Sequence, residues 1–155
     1  MKLEEEIKQS RFRNEFHKLA VNIFYTNSWL LNLQTELFNK FGITGNQFNI
    51  LRILRGQHPR PATVNLLKER MVDKMSDASR LVERLRVKGL VKRELSADDR
   101  RMVDVKITEK GLDLLSQIDK LNNEYDSFFC NLSEKEAKKI NDLLDKMRGL
   151  NQTNQ

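Results

Sequence analysis

Two groups of arginines stand out in this chain: Arg80, Arg84 and Arg86 in one, and Arg100 and Arg101 beside Asp98 and Asp99 in the other. A guanidinium is a planar fork of N–H donors that matches phosphate oxygens or the major-groove edge of guanine, so these residues suit recognition of a polyanion. Between Lys74 and Lys106 lie ten basic and six acidic residues, so +4 of the net +6 falls in this window. Net charge of this sign favours a polyanionic partner, but alone it does not separate nucleic acid from a membrane surface or an acidic protein.

Other chemistry has little material. There is one cysteine, Cys130, and two histidines, His17 and His58, which is too few for a structural zinc cluster or an internal disulfide. No phosphate-cradling glycine loop and no paired nucleophile and base occur, so neither enzymatic activity nor a metal or cofactor is expected. Cys130 follows Phe128 and Phe129 at the expected end of a helix, where a buried, inert thiol is the ordinary reading. Of the 155 residues, 39% are hydrophobic and 32% charged, which describes a folded, helix-rich chain in water. No apolar run approaches the about 20 residues needed to span a bilayer. Met1 to Ser10 is acidic where a signal peptide is basic and then apolar. A cytoplasmic protein without membrane contact is the expectation.

The elements that must hold the arginines follow from periodicity and caps. Phe12, Phe16, Leu19, Ile23, Leu30, Leu33 and Leu37 recur at helical spacing and predict a helix from about Ser10 to Lys40, ended by Gly42. Thr44 and Gln47 form a capping box for a second helix that stops near Gly56. After the stiff His58-Pro59-Arg60-Pro61 connector, Thr63 caps a short helix bearing Val64, Leu66, Leu67 and Met71. A turn over Val72 to Met75 leads to a fourth helix, capped by Ser76 or Asp77. Its Ala78, Leu81, Val82 and Leu85 face inward, leaving Ser79, Arg80, Glu83, Arg84 and Arg86 outside.

Gly89 closes that helix. Leu90 to Leu95 and Met102 to Ile107 then alternate as the strands of a hairpin whose tip is Ser96 to Arg101. Thr108 opens a helix running through Leu112, Leu115, Ile118, Leu121 and Tyr125 to Phe128, and a Ser133–Glu136 box starts the last one. The expected fold is mainly α with a small β-hairpin wing: a winged helix-turn-helix lobe at residues 41–108, an N-terminal helix at 1–40 and C-terminal helices at 109–155, in one continuous unit. The first and last helices carry longer apolar stripes than a small lobe needs, and a homodimer would bury them.

A short helix, a turn and a second helix present the start of the second helix to the major groove. Ser76, Asp77, Ser79 and Arg80 are therefore the candidate base contacts. Arg80 suits guanine, where a bidentate contact is worth about 1–3 kcal/mol of discrimination. Ser79 can bond a base or a phosphate, while Asp77 is better suited to capping. The hairpin tip lies within reach of an adjacent groove, where an arginine suits the negative potential of a narrow minor groove and a neighbouring carboxylate can hold it extended. Solvation of an outer helix face is the plain alternative for Arg80, Arg84 and Arg86.

These residues also carry a family resemblance. Asp99-Arg100-Arg101, followed by Val103-Asp104-Val105-Lys106-Ile107-Thr108-Glu109-Lys110-Gly111, resembles the wing signature of the MarR family of regulators, with Ile107 where leucine is usual. Ser79 to Leu85 and Lys88-Gly89-Leu90-Val91 are similar to that family's recognition helix and first wing strand, with Glu83 where aspartate is commoner. The resemblance implies a dimer joined through its terminal helices that binds a near-palindromic double-stranded DNA operator and usually represses transcription. It implies Ser79 and Arg80 in the major groove, Arg101 in the minor groove, Asp99 orienting Arg101, Arg84 supporting the wing or a phosphate, and Arg100 at a variable position suited to phosphate.

It further implies release by a small aromatic or anionic effector. Phe24, Tyr25, Trp29 and Phe48 are candidates to line such a pocket, although their spacing ordinarily means core, and His17 or His58 could hold a carboxylate; no ligand residue is assigned. Relatives that sense oxidants through a cysteine near the start of the first helix have no counterpart here before Cys130. The competing readings are a basic helical module docking on an acidic protein or membrane surface, and an activator of the same family that needs no ligand.

Overall fold

The computed structural model describes residues 2–95 and 103–149. The chain divides into two compact units, Met1–Leu115 and Ser116–Gln155.

The first unit opens with a short helix that periodicity did not suggest, α1 (Leu3–Glu6), ahead of the long α2 (Glu15–Asn39). An ion pair from Lys18 to Glu4 and a hydrogen bond from the Tyr25 hydroxyl to Glu6 Oε2 at 2.7 Å hold α1 on α2. The long helix starts at Glu15 rather than near Ser10 because Asn14 is its cap: its extended backbone leaves the helix, and its Oδ1 accepts the His17 N–H at 2.9 Å. Gly42, at φ +65°, lets the chain leave after Asn39. The Thr44–Gln47 capping box is present in both halves and starts α3 (Gly45–Gln57), whose Ile50, Leu51 and Leu54 are fully buried.

The short β1 (Ala62–Thr63) leads into α4 (Val64–Arg70), capped by Thr63 Oγ1 accepting from Leu66 N at 3.2 Å. Next come α5 (Ala78–Val87), β2 (Val91–Leu95) and β3 (Val103–Ile107). The expected hairpin is therefore there, with Val91 opposite Ile107 and Leu95 opposite Val103. It is part of a three-stranded antiparallel sheet in the order β1-β3-β2, because Ala62 pairs with Val105. Leu67, Met71, Val82, Leu85 and Val105 close the core between α3, α4, α5 and the sheet.

At the end of the wing, Thr108 Oγ1 accepts from Gly111 N at 3.1 Å, capping α6 (Glu109–Asp119), and donates to the Gly89 carbonyl at 2.8 Å. One cap thus joins the helix to the turn that closes α5.

The helix expected to run unbroken to Phe128 is instead two, α6 and α7 (Asn122–Ser127), parted at Leu121, whose φ of −97° and ψ of 9° leave the helical region. Asp119, Asn122 and Asn123 flank the break; such side chains bond nearby backbone and weaken a helix interior. The Ser133–Glu136 box starts α8 (Glu134–Gly149), with Ser133 N donating to Glu136 Oε2 at 2.9 Å and Glu136 N to Ser133 Oγ at 3.3 Å. Cys130 is exposed, against the expectation of a buried thiol. It lies in the turn between α7 and α8, where Tyr125 packs edge-on against Phe128 and Phe129 and the thiol is left outside. Among the described residues no helix is long and apolar enough to cross a membrane.

Candidate nucleic-acid interface

The two helices of the expected helix-turn-helix are α4 and α5, and the turn between them is tied down by polar side chains. Asp73 is the centre of this clamp. Its Oδ2 accepts from Ser76 Oγ at 2.5 Å and from Asn46 Nδ2 at 3.0 Å, while its Oδ1 accepts from Met75 N at 3.0 Å. Asn46 Nδ2 also reaches Ser76 Oγ at 2.6 Å, and Asn49 Oδ1 accepts from Val72 N at 2.9 Å. Two asparagines of α3 thereby fix the turn on which α5 begins. These donors, Ser76 first and then Asn46, hold the Asp73 carboxyl below its ordinary range.

The four expected base contacts divide accordingly. Asp77 caps α5, its Oδ1 accepting from Arg80 N at 3.0 Å, and the half-buried Ser76 is engaged by Asn46 and Asp73. Ser79 and Arg80 are exposed in the first turn of α5. Asn46, Asn49 and Asp73 do not stand out in the sequence as functional residues. An Asp-x-x-Ser in a turn is a recognisable local signal, but the partners on α3 are distant in sequence.

The cations of the basic window also have different employments. Glu83 takes Arg86 in a two-pronged ion pair, with Nη2 to Oε1 at 2.7 Å and Nε to Oε2 at 3.0 Å, and reaches Arg93 of β2 at 3.9 Å. Arg86 above all holds the Glu83 carboxyl below its ordinary range. Lys74 donates to the Glu69 carbonyl, and Lys88 donates to the Gly42 carbonyl and to Gln47 Oε1, the latter at 3.3 Å. The guanidiniums of Arg80 and Arg84, one helical turn apart on one face, have no hydrogen-bond or ion-pair partner among the described residues. On the wing, Lys92 stands opposite Lys106, and Glu94 opposite Asp104. Asp99, Arg100 and Arg101 lie outside the described residues.

The aromatic residues weighed as pocket or core fall into two groups. Phe48 stacks on Phe38 with centroids 4.5 Å apart, whereas Phe24, Tyr25 and Trp29 of α2 are exposed. His17 accepts from Arg13 N at 3.3 Å and meets the edge of Phe12. A shallow depression of about 420 Å³ lies among Phe41, Val87, Lys88, Leu90, Lys110 and Leu114. Among the described residues no group of His, Cys, Asp and Glu is arranged to hold a metal ion.

A sequence model of the MarR family matches residues 41–102, from the start of the α3 region to the wing. Over 127 residues the chain is 28% identical to the HTH-type transcriptional regulator MgrA of Staphylococcus aureus, spanning 82% of this chain and 79% of that one. A cysteine-to-serine mutant of MarR from Escherichia coli, solved in complex with operator DNA, superposes with a TM-score of 0.76 at 27% identity, covering 89% of this chain and 99% of that one. Residues 41–102 thus match the MarR family, and the chain as a whole shares the fold of its solved members. These relatives are transcription regulators, the Escherichia coli one solved on its operator DNA. An organohalide-sensing regulator in its 2,4-dichlorophenol-bound form has the same fold, with a TM-score of 0.80 at 23% identity over 91% of this chain and 86% of that one.

Proposed function

We propose that this regulator is a homodimeric repressor that reads a near-palindromic operator through α5 and releases it when a small aromatic or anionic effector binds. The observation that carries the reading is the pairing pattern on α5. Glu83 pairs closely with Arg86 and reaches Arg93, while the guanidiniums of Arg80 and Arg84 project from the same helix with no partner among the described residues. In this reading Arg80 and Ser79 contact base edges and Arg84 a phosphate or the wing. Arg101, oriented by Asp99, enters the minor groove, and Arg100 contacts phosphate.

Dimerisation is assigned to residues 1–40 and 109–155, flanking the DNA-binding lobe at 41–108. Phe16 and Phe24 of α2 are 81% and 75% exposed, and Ile140, Leu143 and Met147 of α8 lie at 41–55%, more large apolar surface than a monomer ordinarily leaves in water. Phe24, Tyr25 and Trp29 then have a second copy to pack against. The effector class is supported by the dichlorophenol bound to a protein of the same fold.

Selection of bound fragments from random duplex DNA tests the reading. A two-lobed dimer should enrich inverted half-sites about 34–36 Å apart, or a multiple of this. Arg80→Ala should lose preference for the selected site over random DNA, and Arg80→Lys should not restore it, since lysine keeps the charge without the fork. Equal loss on selected and random DNA would reduce α5 to a basic docking surface.

A further inference from the structure

Met75 is the most exposed large apolar side chain among the described residues at 94%, and Val72, in the same turn, follows closely at 86%. Neither sits on a floppy loop. The Val72 N–H is held by Asn49 and the Met75 N–H by Asp73, which is itself anchored to Asn46. A pinned turn keeps its apolar side chains in water permanently, and here the pinning fixes where Met75 stands: two residues before Asp77, the cap of α5. That end of the helix is the one a helix-turn-helix presents to the base edges.

In the major groove only thymine offers an apolar group, its C5 methyl. Methionine, unbranched and polarisable, packs well on such a small target. We propose that Met75 is a specificity-determining residue that packs on a thymine methyl in the major groove, presented there by the Asp73 clamp; this rests on the DNA-reading function proposed above. Arg80 and Met75 then read complementary features, a guanine edge by hydrogen bonds and a thymine by its methyl. Truncation of Met75 leaves the clamp intact, because the clamp holds its backbone N–H and not its side chain.

The test replaces each thymine of the selected site by uracil, one at a time, which deletes the C5 methyl and nothing else. Binding of the full chain and of Met75→Ala and Met75→Leu is measured on each duplex. One thymine per half-site should weaken the unaltered protein by about fourfold when replaced, the worth of one buried methyl group. The same replacement should leave Met75→Ala unaffected, and Met75→Leu should keep part of the sensitivity. Equal sensitivity of all three proteins at every thymine overturns the proposal, as does insensitivity of the unaltered protein throughout. A chain that enriches no fragment above random background overturns the DNA-reading function itself, and the role of Met75 with it. Unchanged thermal unfolding of both variants excludes a folding defect as the cause of any difference.

Discussion

A Cβ placed on Gly111 would lie 2.4 Å from the carbonyl oxygen of Leu90 and 2.7 Å from Ile107 Cγ1. The first turn of α6 thus rests against the residue that leads into β2 and the last residue of β3, with room for a hydrogen atom only. Gly111→Ala must push helix and hairpin apart, and the expected loss is about 1–3 kcal/mol, as for other overpacked sites. Gly56, inside α3, has nothing within 4 Å of the added carbon, so Gly56→Ala should instead stabilise by about 0.5–1 kcal/mol. Chemical denaturation of the two variants, side by side, checks both signs.

Asp77→Ala removes the cap of α5 and should cost about 0.5–2 kcal/mol of stability. Because that carboxylate is engaged with the backbone of Arg80, its loss should leave the ranking of DNA sequences unchanged once binding is compared at equal fractions folded. A changed ranking in a binding selection would instead assign Asp77 to the bases.

Acid should loosen the lobe in a defined direction. Asp73 and Glu83 are held below their ordinary values of 3.8 and 4.5, the first chiefly by Ser76 and Asn46, the second by Arg86. As pH falls through those ordinary values the unfolded chain takes up protons before the folded one does. The stabilisation is therefore complete above them and lost as pH drops through the lowered, folded-state values. Urea unfolding should show stability falling below about pH 4.5, and Asp73→Asn should make the fall shallower.

Lys92 and Lys106 face each other across the wing, and like charges directly opposite on paired strands are unfavourable. Lys106→Glu should stabilise the hairpin by a few tenths of a kcal/mol, up to about 1, while weakening DNA binding. If each lysine neutralises one phosphate, Lys92→Ala and Lys106→Ala should each lower the slope of log affinity against log salt by about one. Titrations at several salt concentrations, beside thermal unfolding, measure the two opposed effects together.

Much of the fold was legible wherever its signal is local. Thr44 with Gln47, Thr63 with Leu66 and Ser133 with Glu136 are pairs three residues apart, and each cap forms as its spacing predicts. What escaped depends on distant partners. β1 is two residues long, too short for any periodicity, and exists because Ala62 meets Val105. Asn46 and Asp73 are 27 residues apart, so the clamp that orients α5 cannot be seen from either alone. The break at Leu121 and the exposure of Phe24, Trp29 and Cys130 also went against sequence expectation. Helical spacing of aromatics says that one face is apolar, and not which body covers it. At the site, residue type singled out the arginines, but only the geometry separated Arg86, held by Glu83, from Arg80 and Arg84.

Lys88 sits just past the last turn of α5, and its ammonium grips the Gly42 carbonyl and the buried Gln47 amide, at the bend where α2 gives way to α3. Its own carbonyl is in turn held by Lys110 of α6 at 3.0 Å. One residue therefore works as a tie rod: the far end of α5 is fastened to the foot of the long N-terminal helix and to the start of α6. Polar bonds, and not soft packing alone, join the end of α5 to the bend between α2 and α3.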